Sequence, residues 1–226
     1  MVLHIKKTNI NQNAKMRIGV DDHSERKVMK SKLSLLGLAI GLFFAGCGTD
    51  NTYYGKLDNT PYATKECIRE LSKGAEILHD EKIDKIVVYK KKREMYTYRD
   101  GKVVDKFRMS LGANGGANGG NKVKAGDYRT PEGAYTIVRK KCDSRLYKSL
   151  MISYPSPADK ARARAQGVNP GGYITIHGQP KWNADGRGDN YTLSRDWTEG
   201  CMAVPNKAMD RLWRAVELGV KIEIHA

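Results

Sequence analysis

Cys201 closes the run Asp196-Trp197-Thr198-Glu199-Gly200-Cys201, a polar turn with a glycine immediately before the thiol. In such a turn adjacent backbone N–H groups can converge on one point, which suits them to stabilise an oxyanion. His177 is the histidine that ends a convincing strand, Tyr173-Ile174-Thr175-Ile176-His177, and Gly178 follows it. Strand alternation groups it with Tyr173 and Thr175, opposite Ile174 and Ile176, so its ring need not enter an aliphatic core. A free thiol is mostly protonated at neutral pH, and an adjacent imidazole supplies thiolate where a nucleophile is needed. The chemistry open to this pair is acyl transfer through a thioester. Each residue alone has a plainer reading, because an isolated cysteine is usually a small buried hydrophobe and an isolated histidine is usually structural.

The elements that must position these residues are mostly strands. From Ile83 the apolar residues recur at period two, which predicts strands over residues 86–89, 95–98 and 103–109. Asp100-Gly101 lies between the last two, a hairpin signal because both central residues of a type I′ turn need positive φ. The charged run Lys90 to Arg93 reads as a solvated turn. Residues 112–126 form a glycine-rich loop, and no Gly-Lys-Ser/Thr opens a helix after it, so a phosphate cradle is excluded. Strands are expected again over 134–139, 150–154, 173–177 and 220–224, with a short helix near 158–165. Ile68, Leu71, Ala75 and Leu78 predict an amphipathic helix over 64–79 with its apolar stripe on the core. Asn206 can cap a last helix that carries Met209, Leu212, Trp213 and Val216 on one face. The expected fold class is mainly β with minor α: one curled, sandwich-like or barrel-like sheet with peripheral helices. The five histidines and four cysteines never cluster at zinc spacing, so no metal module is expected.

Three landmarks occur in order: Lys124-Ala125-Gly126-Asp127 with Thr130-Pro131-Glu132-Gly133-Ala134-Tyr135, then Tyr173 to Gly178, then Thr198-Glu199-Gly200-Cys201. Together they resemble the L,D-transpeptidase catalytic domain family, in which a strand ending in His-Gly precedes a Ser/Thr-x-Gly-Cys nucleophile turn. The resemblance covers roughly residues 83–225. It implies Cys201 as nucleophile and His177 as its base, the Gly178 carbonyl orienting the ring, and Gly200 and Cys201 donating N–H groups to the oxyanion. It also implies peptidoglycan stem peptides as substrate and no cofactor. Three departures stand out: Glu199 where many members have His, Ala203 where Arg or Asn is common, and a longer connection between His177 and Cys201. Arg195 and Thr198 are candidate substrate contacts. Arg187 could stand in as a carboxylate clamp but reads more simply as surface charge, while Trp182 and Trp197 read as packing. The Asp-Trp-Thr-x-Gly-Cys form resembles a branch that includes members that hydrolyse rather than cross-link. An L,D-carboxypeptidase or amidase outcome therefore stays open, and so does a non-catalytic wall-binding module.

The remaining organisation concerns export. Residues 33–45 are an apolar run too short for a spanning helix, which needs about 20 residues, but suited to a signal-peptide core. Lys30 and Lys32 precede it, and Phe44-Ala45-Gly46-Cys47 resembles a lipobox with Cys47 as the lipidated residue. The expected organisation is thus a lipoprotein signal over 1–46, with 1–28 an over-extended start before Met29. A tether over 47–60 and a catalytic domain over 61–226 follow. The expected setting is the periplasm-facing envelope, with the membrane reached through the lipid and, by Gly48, the outer membrane in a Gram-negative cell. In such an oxidising compartment Cys67 and Cys142 can pair or stay free, and the sequence leaves both open. Lys plus Arg outnumber Asp plus Glu by 40 to 25, but the basic residues are scattered, which argues against a nucleic-acid partner.

Overall fold

The computed structural model describes residues 60–73, 81–114 and 118–226. The expected signal peptide, Cys47 and nearly all of the tether lie outside the described residues, as does the end of the first helix. Among the described residues no helix is long and apolar enough to cross a membrane.

Among the described residues the architecture is mainly β, with one curled sheet of eight strands and four short α-helices. The strands are β1 (Ile83–Tyr89), β2 (Glu94–Arg99), β3 (Lys102–Arg108), β4 (Gly133–Asp143), β5 (Tyr147–Ile152), β6 (Thr175–His177), β7 (Met202–Ala203) and β8 (Val216–His225). Their order is β3-β2-β1-β8-β4-β5-β6-β7. β1 pairs with β8 in parallel, as β6 does with β7, and the other neighbours are antiparallel. Asp100 and Gly101 have φ of 50° and 73°, as the hairpin signal requires. β4 makes the sheet curl, since residues 133–136 pair with β8 and residues 137–143 with β5. The far ends then approach one another. Beyond β3, Ser110 and Ala203 exchange two backbone hydrogen bonds at 2.9 Å, which nearly closes the sheet and brings the 109–112 segment beside the cysteine turn.

The core lies inside this curl. Ile86, Met95, Ile137, Leu150, Ile176 and Ile222 from six strands are fully buried with Leu212 and Trp213 of α4 (Asn206–Ala215). Val216, expected on that helix, instead begins β8, where β-branched residues are favoured. α2 (Pro157–Ala165) starts with a capping box between Ser156 and Asp159, and Asp159 also accepts from the Tyr135 hydroxyl at 3.0 Å. Residues 189–192 form the one-turn α3.

Three expectations change. The run after β1 is not a solvated turn: only Lys91 and Lys92 are exposed. Lys90 is buried and its ammonium donates to Gly120 O at 2.7 Å, Thr130 O at 3.1 Å and the Glu132 carboxylate at 2.8 Å. A charge can be buried there because every donor finds an acceptor, information that a run of lysines does not carry. Asn206 does not cap α4. Its side-chain oxygen accepts from Gln179 N at 2.7 Å, and its amide donates to the Tyr62 hydroxyl and Ala184 O. In α1 (Lys65–Lys73), Ile68 is 55% exposed, so the apolar stripe does not pack on the core.

α1 is held covalently instead, through a Cys67–Cys142 disulfide with Cα atoms 5.8 Å apart. The bridge closes a loop of 75 residues, which in the chain-entropy view stabilises the fold by roughly 4 kcal/mol. Replacing both cysteines by serine is expected to lower stability by about 2–4 kcal/mol. Thermal unfolding with and without reductant checks this, because wild type should lose the same increment on reduction and the variant should not respond.

Candidate active site

β6 carries His177 on its last residue and Thr175 two positions earlier on the same face, while Ile176 points into the core. The strand starts only at Thr175 because Tyr173, expected within it, has a φ of 57°, outside any extended conformation. His177 is buried. Its Nδ1 lies 2.8 Å from Gly178 O, and since a carbonyl can only accept, Nδ1 carries the proton and Nε2 is left as the base. Gly178 is sterically required, as a Cβ would stand 2.4 Å from Asn206 Oδ1 and 3.1 Å from Tyr147 Cβ. The carbonyl that orients the imidazole is thus itself locked by α4 and β5. Trp197 sets its ring edge against the imidazole, with centroids 5.7 Å apart.

The cysteine turn is fixed from behind. Asp196 accepts two hydrogen bonds from the Arg93 guanidinium, at 2.7 and 3.1 Å, and one from Leu111 N at 3.0 Å. Thr198 exchanges backbone bonds with Leu111 and Ala113. Its buried hydroxyl donates to Cys201 O at 2.7 Å and accepts from Gly200 N at 3.2 Å. Two readings shift as a result. The Thr198 hydroxyl is spent on closing the turn, and the Gly200 N–H, one of the two expected oxyanion donors, is engaged inside the turn. Gly200 has a φ of 124°, and a Cβ there would stand 2.6 Å from Arg129 O, so only glycine fits.

The Cys201 sulfur is partly exposed at the protein surface and accepts from Thr175 N at 3.4 Å and the Thr175 hydroxyl at 3.5 Å. Burial pushes the thiol up. Hydrogen bonding and charge from His177, with the two Thr175 donors, outweigh it and hold the group below the ordinary thiol range. The arrangement can therefore present a thiolate beside an oriented base and a backbone donor. Thr175 escaped attention in the sequence, although the alternation that grouped it with His177 was the signal that could have found it.

Other expected contacts lie elsewhere. The Arg195 guanidinium stacks on the Tyr191 ring at 3.9 Å, and Arg187 pairs with Asp185. Both sit in the long connection, which packs on itself: the buried amide of Asn183 donates to Asp189 at 2.8 Å and its oxygen accepts from Gly188 N at 2.7 Å. Ala203 is fully buried, so its position offers no group to a substrate.

A depression of about 160 Å³ is lined by Lys122, Gly126, Tyr128, Gly172, Ile174 and Glu199, the last of these two residues before Cys201. Asp127 holds its wall. This buried carboxylate accepts from Lys122 Nζ at 2.6 Å and from the backbone N–H groups of Val123, Lys124 and Arg129. In the sequence Asp127 stands out only as part of the Lys124-Ala125-Gly126-Asp127 motif.

Residues 83–224 match the family model described as YkuD, L,D-transpeptidase catalytic domain. The Escherichia coli K12 protein named "Putative L,D-transpeptidase YafK" is 26% identical over 184 residues, which are 80% of this chain and 63% of that protein. The chain thus spans less than two thirds of that relative's length. The helical cell shape determining protein Pgp2 of Campylobacter jejuni is 26% identical with a TM-score of 0.47, covering 63% of this chain and 47% of its own. An L,D-transpeptidase from Mycobacterium smegmatis is 13% identical with a TM-score of 0.43, covering 62% of this chain and 58% of its own.

Proposed function

The chain belongs to the YkuD family of L,D-transpeptidase catalytic domains, and from that premise we propose that it is a cysteine acyltransferase acting on peptidoglycan stem peptides. The observation that carries the reading is geometric: the Cys201 sulfur accepts from Thr175 N and the Thr175 hydroxyl, on the strand whose last residue, His177, has Nδ1 bonded to Gly178 O and Nε2 left as base. His177 Nε2 takes the thiol proton, and the thiolate attacks the carbonyl of an L-centred residue. The Cys201 N–H meets the developing oxyanion, where a preorganised donor is worth about 3 kcal/mol. The leaving amine takes the proton back from His177, which leaves a thioester on Cys201. A second amine, or water, then releases the acyl group by the same steps in reverse order.

Water as the acceptor is the second reading, giving a carboxypeptidase or an amidase, and buried Ala203 favours it by leaving no acceptor clamp at that position. Incubation of the purified protein with tetrapeptide-bearing muropeptides and an excess of an amine acceptor tests both readings by mass spectrometry. Cross-linked or amine-exchanged product is expected from the transferase. Exclusive shortening of the stems would assign the hydrolase instead, and unchanged muropeptides would remove both.

For location we retain the reading of an envelope lipoprotein anchored through Cys47 and facing the periplasm. The Cys67–Cys142 disulfide supports an oxidising compartment. Intact-mass measurement of the membrane-bound protein should find Cys47 at the N-terminus with its acyl chains, and a mature chain retaining residues before Cys47 would refute the anchor.

A further inference from the structure

We propose that Tyr62, which precedes the family-matched stretch 83–224, is a positioning residue for His177. Its hydroxyl pins the side chain of Asn206, and Asn206 holds the Gly178–Gln179 peptide unit whose carbonyl orients the imidazole. The catalytic consequence rests on the acyl-transfer reading above, and the assignment adds a contact from outside the matched stretch that sets the tautomer of the base.

The chain of contacts is short. His177 Nδ1 lies 2.8 Å from Gly178 O, and the N–H of that same peptide unit, on Gln179, donates to Asn206 Oδ1 at 2.7 Å. A peptide unit is planar, so fixing its N–H fixes the direction of its carbonyl. Sheet-like backbone bonding reaches only as far as the preceding unit, where Gly178 N donates to Lys148 O at 3.2 Å and Val204 N donates to His177 O at 2.9 Å. Beyond that point the glycine leaves the backbone soft, and a side chain has to supply the restraint. Asn206 supplies it when its amide is turned with the oxygen toward Gln179. Its Nδ2 donates to the Tyr62 hydroxyl at 3.0 Å and to Ala184 O at 3.2 Å, which holds that orientation.

Tyr62 is placed to be the fixed end of this chain. While accepting from Asn206, its hydroxyl donates to Gln179 O at 2.9 Å and to Pro180 O at 3.3 Å, so one oxygen ties the amide to the backbone just past Gly178. Its ring packs on that of Tyr147, with centroids 5.2 Å apart, and its backbone N–H donates to Ser144 O at 2.7 Å. The disulfide joins Cys67, five residues further on, to Cys142 at the same end of β4, so the segment that carries the hydroxyl is attached on both sides. Gln179 is fully buried, and in such surroundings linked hydrogen bonds strengthen one another. Loss of the hydroxyl therefore frees the Asn206 amide, and with it the carbonyl that keeps the proton of His177 on Nδ1.

The test uses Tyr62→Phe, which deletes one oxygen and keeps the ring on Tyr147, together with Asn206→Ala and the double variant. Two quantities are read: the tautomer of His177 by long-range proton–nitrogen NMR of the imidazoles, assigned by its absence from His177→Ala, and the turnover of stem peptides. Wild type is expected to hold neutral His177 as the Nδ1–H form alone. Tyr62→Phe should show the Nε2–H form beside it, with kcat lowered about 10-fold and KM within about twofold, since a misplaced base costs rate rather than affinity. Asn206→Ala should lose more, and the two losses should fall well short of adding in the double variant, because both act through one peptide unit. A merely structural Tyr62 would alter stability and leave the tautomer unmoved. An unchanged tautomer in Tyr62→Phe, mixed tautomers already in wild type, or fully additive losses would overturn the assignment. A wild type without turnover would overturn the acyl-transfer reading, and the tautomer spectra would still decide this one.

Discussion

Cys201→Ala and His177→Ala are each expected to reduce turnover of stem peptides by at least about a thousandfold while the fold is retained, and the double variant should be no worse than either single one. A nucleophile and its base act as one unit, so the losses do not add. Their environments make the variants structurally mild. Cys201 is only partly buried, and its sulfur is held by Thr175 donors that solvent can satisfy. His177 is buried, and its Nδ1 is bonded to the carbonyl of the next residue. Alkylation of the thiol by chloroacetamide gives an independent readout. In wild type the reaction should persist below the pH at which an ordinary thiol of pKa about 8.5 falls silent, because the folded environment lowers the thiol. His177→Ala removes the main source of that lowering, so its alkylation profile should shift toward higher pH. Near-wild-type turnover by Cys201→Ala would end the cysteine mechanism, and an unshifted alkylation profile in His177→Ala would end the pairing.

Asp127→Ala should be the most damaging change outside that pair. The substitution leaves the buried Lys122 ammonium without its partner and three backbone N–H groups without an acceptor. Breaking a buried ion pair by removing one member typically costs about 3–5 kcal/mol. Burial pushes the Asp127 carboxyl up, but Lys122 and the three N–H groups outweigh it and hold the group below the ordinary carboxylate range. A folded-state value lower than the unfolded one stabilises the fold above the unfolded pKa of about 4, and that contribution disappears as pH falls through the folded value. Urea unfolding should therefore show a large gap between wild type and Asp127→Ala at pH 7 and a much smaller one near pH 2. A gap independent of pH would mean that the ionised carboxylate is not what holds the loop. Activity should fall as well, because the same loop supplies Tyr128 to the depression and Arg129 O against Gly200.

The contrast between these two predictions shows what was readable in advance. Cys201 and His177 could be singled out because their signals are local, strand alternation and a glycine before a thiol, while the role of the Gly178 carbonyl came from the family resemblance. The mainly β class, the Asp100-Gly101 hairpin and α2 followed from equally short-range patterns. Asp127, Lys90 and Arg93 were not legible as organisers, since each acts through partners 5, 42 and 103 residues away. Asn206 failed as a cap for the same reason, its side chain being claimed by Gln179, 27 positions earlier.

The sequence by itself determined the mainly β fold class and put Cys201 and His177 forward as a candidate pair. Periodicity and backbone sterics act over a few residues and are written into the order of side chains. Only the tertiary structure decided that Cys67 meets Cys142, that Thr198 is spent inside its own turn, that Thr175 steadies the sulfur, and that Glu199 faces an open depression. Those outcomes depend on the curl of β4 and the approach of Ser110 to Ala203. That curl sums many weak long-range contacts, so which polar groups end up satisfied, buried or free is fixed only when the sheet closes.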